Sequence, residues 1–114
     1  MYRPRWYILN DDKSISPVRD VSVWANWRGN DDGKHVVAHT MVNEDVFVST
    51  VFMGLDHRIF GKGEPILFET MIFGGEHNGY QERCCTWNQA LKEHSIACGM
   101  VEGKISRYGN GKQN

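Results

Sequence analysis

Between residues 35 and 73 the apolar positions fall in short runs rich in Val, Met, Phe and Ile, broken by brief polar stretches. Runs of that length and composition predict strands rather than helices. Residues 35–42 and 45–53 form two such runs on either side of Asn43-Glu44, which reads as a tight hairpin turn. With the turn centred there, Met41 opposes Val46, His39 opposes Val48 and Val37 opposes Thr50. One sheet face then holds Val37, His39, Met41, Val46, Val48, Thr50 and Phe52. The other holds Val36, Ala38, Thr40, Phe47, Ser49, Val51 and Met53, and both faces are substantially apolar. Residues 65–73 read as a third strand, opened by Pro65 and carrying Glu69 in its middle. Residues 55–64, with Gly61 and Gly63, are a loop, and residues 76–85 a polar connection.

The flanking segments carry different patterns. Residues 5–10 and 13–16 predict a short hairpin turning at Asp11-Asp12. Ser16-Pro17 reads as a helix start, followed by Val18, Val21 and Ala25 on one face and ending at Trp27. Thr86 and Gln89 make a capping box for a second helix over residues 86–101. Its apolar stripe runs through Trp87, Leu91, His94, Cys98 and Val101, and Gly99 predicts a stop near Cys98. The expected order is ββ-α-βββ-α, an α+β fold with an antiparallel meander sheet and two helices. Residues 1–102 form a single domain, and 103–114 a flexible basic tail. Either the helices divide between the two sheet faces, or a second chain covers the remainder as a homodimer.

Composition narrows the function classes. A chain of 114 residues has room for one modest core. Its net charge of −1 speaks against a protein built to neutralise duplex DNA. No apolar run reaches the ~18 residues of a membrane span, and residues 1–12 lack the apolar core of a secretory signal. The three cysteines, two of them adjacent, suit reduced cytosolic thiols better than a disulfide framework. No zinc-ligand spacing, phosphate-binding loop or nucleophile elbow occurs, so the sequence implies neither a metal nor a cofactor.

Chemistry has few candidates. Asp56, His57, Glu69 and His94 are the acid and imidazole groups that a metal-dependent hydrolase or nuclease would use, if they converged; His39, Glu76, His77 and Glu82 are further candidates. Against that, Glu69 in mid-strand has simpler readings, facing solvent on an edge or pairing with Arg83 or Arg58, and His94 reads as a core histidine with its N–H satisfied. Arg58, Lys104, Arg107 and Tyr108 are candidate binding residues. Arg3, Arg5, Trp6 and Tyr7 raise single-stranded nucleic acid as a lesser option. A pocket for a small ligand such as a nucleotide, between sheet and helices, is a third.

STVFMGLDH, PILFETMIFGG and TWNQALKEH, with the earlier PVRDV, together resemble a group of small proteins encoded by bacteriophages and prophages. The likeness spans most of residues 3–94. At the positions of Cys84-Cys85 related forms carry a tyrosine and a small residue, so the resemblance implies no thiol mechanism. It assigns no catalytic residue. What it implies is residence in the host bacterial cytoplasm and an accessory role: binding a host protein or protein–nucleic acid complex, inhibition of a defence system included.

Overall fold

A computed structural model describes residues 4–58 and 63–106. The elements run β1 (Trp6–Leu9), β2 (Ile15–Val18), α1 (Val21–Gly29), β3 (Val36–Asn43), β4 (Val46–Phe52), β5 (Phe68–Phe73), β6 (Gln81–Cys84) and α2 (Trp87–Val101). β1 and β2 form a two-stranded sheet whose β1 side is bridged to Leu55 at Trp6, while β3-β4-β5-β6 form one four-stranded sheet in sequence order, every pairing antiparallel. The α+β class, the meander and the two helices are therefore as the pattern predicts.

Several local expectations are corrected. Ser16-Pro17 does not start a helix: both residues lie in β2, the outer strand of the two-stranded sheet, where Pro17 stands opposite Tyr7. An edge strand tolerates a residue without an N–H. α1 begins after Asp20, whose carboxylate accepts the Ser22 N–H at 2.9 Å. The helix buries no residue completely. It is attached by Trp24 against Trp6, ring centroids 4.9 Å apart, and by Trp27 edge-on to Phe52 at 5.7 Å.

The β3–β4 register is the second correction. The turn sits on Glu44-Asp45, pairing Asn43 with Val46, and a register shift follows before Met41 meets Phe47. His39 then opposes Ser49 and Thr40 opposes Val48, one residue off the expected pairing. A one-residue slip exchanges the faces of a strand. Thr40 thus turns inward in place of His39 and Met41, while Val46, Val48, Thr50 and Phe52 of β4 are buried as expected. The third correction is β6, a strand inside the supposed polar connection. Its outward residues are polar because the strand is an edge, and Arg83 opposes Glu69 of β5.

α2 lies along the inner face. The capping box forms: the Thr86 hydroxyl accepts the Gln89 N–H at 3.1 Å, and the Gln89 side chain accepts the Thr86 N–H at 3.2 Å. The buried stripe runs through Ala90, His94, Ala97 and Met100, whereas Leu91 is exposed. The two small alanines let the helix settle closely on Phe68 and Ile72, which are fully buried. Gly99 does not stop the helix. A Cβ there would lie 2.5 Å from the Ile105 side chain, because residues 104 and 105 return over the last turn and donate their N–H groups to the Gly99 carbonyl.

Candidate functional site

The expected acid and imidazole groups occupy separate places. Asp56 is a structural knot. Its carboxylate accepts the backbone N–H groups of Arg58 and Ile66 at 2.9 and 3.0 Å and the Arg58 guanidinium at 2.7 Å. Burial pushes this carboxyl up, but those donors and the Arg58 charge outweigh it and hold the group below the usual carboxylate range. Arg58 is consumed in the same contact, its side chain only 9% exposed. His57 points its Nδ1 to the Leu55 carbonyl at 2.7 Å. Glu69 pairs with Arg83 at 3.0 Å and with the Gln81 amide, as its position opposite β6 dictates.

His94 is elsewhere again, beneath α2. Its Nδ1 lies 2.8 Å from the Thr50 hydroxyl and its Nε2 2.8 Å from the Thr40 hydroxyl, while Thr50 and Thr70 join at 2.7 Å. One helix and three strands are tied by this chain of polar groups. Burial pushes the imidazole below its ordinary value, with His39 adding to the effect. His94 is thus a core histidine with both ring nitrogens engaged. The three threonines gave no sequence signal, because Thr is an ordinary strand residue and only the register aligns them.

Asp56, Glu69 and His94 therefore do not converge, and among the described residues no three His, Cys, Asp or Glu side chains are grouped to hold a metal ion. The thiols are no better placed for chemistry. Burial raises Cys84 to about 11 and also pushes up Cys85 and Cys98, so the nucleophilic thiolate is disfavoured in all three. Asp31, which as Asp31-Asp32 reads as an acidic loop tip, is instead buried after α1 against the part-exposed His35: its carboxylate accepts the His35 backbone N–H at 2.9 Å and contacts its ring, with Arg28 at 3.4 Å. These contacts fix the loop into β3. Lys104 is exposed and lies 3.5 Å from Glu102, and Arg107 and Tyr108 fall outside the described residues. Clefts of about 650 and 340 Å³ open beside the Asn43–Val46 turn and beside Trp87, respectively. The sheet–α2 interface itself is packed with side chains.

The outer face of the four-stranded sheet is the notable surface. Both helices approach the sheet from its inner side: α2 packs on all four of its strands, while α1 contacts β1 and β2 and reaches Phe52. Among the described residues no helix covers the other side. The register lines up three rows there: Met41–Phe47–Phe73, then His39–Ser49–Met71–Gln81, then Val36–Val51–Glu69–Arg83. Met41 is 61% exposed and Phe73 46%. Phe47 bridges them, stacked obliquely on Phe73 at 6.2 Å and edge-on to His39 at 5.1 Å. Apolar groups thus concentrate at the β3–β4 turn end, and the one ion pair sits at the β6 corner as a polar rim. Contiguous exposed apolar surface of this kind marks interaction sites.

No helix of the described residues is long and apolar enough to cross a membrane. Compared with protein-family models, curated proteins and solved structures, the chain matches none.

Proposed function

We propose that this protein acts by binding rather than by catalysis, as a phage-type accessory protein whose outer sheet face docks a host macromolecule in the bacterial cytoplasm. Inhibition of a host defence complex is the concrete form of that role. The open row Met41–Phe47–Phe73 carries the reading. The residues that hydrolysis would require are each spent on internal contacts instead. The face favours a protein partner: its two formal charges, Glu69 and Arg83, neutralise one another, leaving no basic surplus to hold phosphates. The motif resemblance to phage-encoded proteins adds the host context.

Affinity capture from bacterial lysate, comparing the wild type with Phe73→Lys and with Lys104→Glu/Arg107→Glu, tests the reading. The outer-face substitution is expected to abolish capture of a discrete partner, while the tail substitutions leave it intact. Capture that survives Phe73→Lys but is lost with the tail charges would place binding on the tail and refute the assignment.

A further inference from the structure

The two edges of the four-stranded sheet are unlike. β6 is four residues long, QERC, with two charged residues in its middle. Shortness and charge are what keep an edge from pairing with another chain. β3 has neither protection. It is eight residues long, VVAHTMVN, without a charged residue or proline. At its start the Val36 N–H donates to the Gly33 carbonyl at 3.0 Å; among the described residues no other backbone segment hydrogen-bonds to the free edge of residues 38–43. Its register shifts lie between Val36 and Ala38 and between Met41 and Asn43, leaving the pairing of residues 38–41 regular.

We infer that the free edge of β3 pairs antiparallel with β3 of a second copy of this chain. The inference rests on the outer face being the binding surface, and it enlarges that face. Four strands and three outward rows project to about 400 Å² at ordinary strand and residue spacings. Edge pairing about a two-fold axis perpendicular to the sheet puts both outer faces on the same side. They then form one continuous eight-stranded surface of twice that extent. An uncharged strand meets its own copy without like charges in opposition, and α2, on the inner side, leaves the joined outer face clear.

Sedimentation equilibrium on the full chain tests this without any partner. The wild type is expected to form a dimer that dissociates on dilution. His39→Lys/Met41→Lys, which places like charges along both copies of the edge, is expected to weaken it at least about 30-fold. Phe73→Lys lies two strands away and is expected to change the dimer constant less than about twofold. Hydrogen exchange on the wild type gives an independent reading: amides of residues 38–41 lose protection on dilution and those of β6 do not. A wild type monomeric up to about 200 µM overturns the inference, that being weaker than functional self-association of this size. A dimer broken equally by Phe73→Lys, or dilution-independent exchange at residues 38–41, overturns it too. Partner capture undiminished by Phe73→Lys, with the dimer intact, would refute the binding reading alone.

Discussion

Thr50→Val removes one hydroxyl from the centre of the molecule and almost nothing else. Thr50 is fully buried and its hydroxyl contacts both Thr70, at 2.7 Å, and His94, at 2.8 Å. Valine has nearly the same shape and suits a strand, so no cavity opens and local propensity does not suffer. Two polar groups, the His94 Nδ1 and the Thr70 hydroxyl, lose a partner where water cannot replace it. An unsatisfied buried group costs about 1–3 kcal/mol, so after the hydrophobic gain of the new methyl the net loss is about 2–3 kcal/mol. In a domain of this size that lowers Tm by about 10–15 °C. Urea unfolding is the assay: the midpoint falls while the slope is unchanged. Thr50→Ser is the companion, since it keeps the hydroxyl and deletes a buried methyl at about 1 kcal/mol. The polar network requires serine to be the better tolerated of the two. A valine variant as stable as the wild type, or more stable than the serine variant, would refute the network's structural role.

Further outcomes follow from the same geometry. Because burial lowers the pKa of His94, the unfolded chain takes up a proton that the folded chain refuses; stability is fully present above the ordinary histidine value of about 6.5 and falls as pH drops below it. His94→Gln should flatten that slope in urea titrations at several pH values. Asp56 runs through a different window: its contribution is present above the ordinary carboxylate value and lost as pH falls through the depressed one, and Asp56→Asn should cost about 2 kcal/mol and raise proteolysis near residue 58. Gly74→Ala and Gly79→Ala share positive φ, but only at Gly74 would the new Cβ meet backbone, 2.1 Å from the Asp45 carbonyl oxygen. Thermal melts should show about 1 kcal/mol lost at Gly79 and more than about 3 kcal/mol at Gly74. Glu69→Gln breaks a part-exposed pair and should shift stability by less than about 0.5 kcal/mol.

Local rules read well where a single segment decides its own conformation. The capping box at Thr86 and Gln89, the first hairpin and the alternating burial of β4 are of that kind. The Glu69–Arg83 pair was legible only as one of several options, because a mid-strand carboxylate is satisfied either by a cation opposite or by solvent at an edge. Errors arose where a distant contact decides. Ser16-Pro17 satisfies helix-start chemistry and edge-strand chemistry equally, and pairing with Tyr7 selects the second. The register shift between Met41 and Asn43, beyond a turn on Glu44-Asp45, exchanged the faces of β3 and hid the Thr40–His94 contact. β6 was masked by polarity that comes from its place at the edge. In α2, Leu91 looked like core and Ala90 did not, yet close approach to the sheet prefers the alanine. The outer face was legible only as surplus apolarity, since periodicity cannot show which side the helices take.

A photo-reactive phenylalanine analogue in place of Phe73, with the same group in place of Asn88 on the exposed side of α2 as control, probes the outer face in living bacteria. Irradiation is expected to join position 73 to one discrete host polypeptide and to leave position 88 unjoined. Adducts of equal yield and identity at both positions, or none at position 73, would contradict the account.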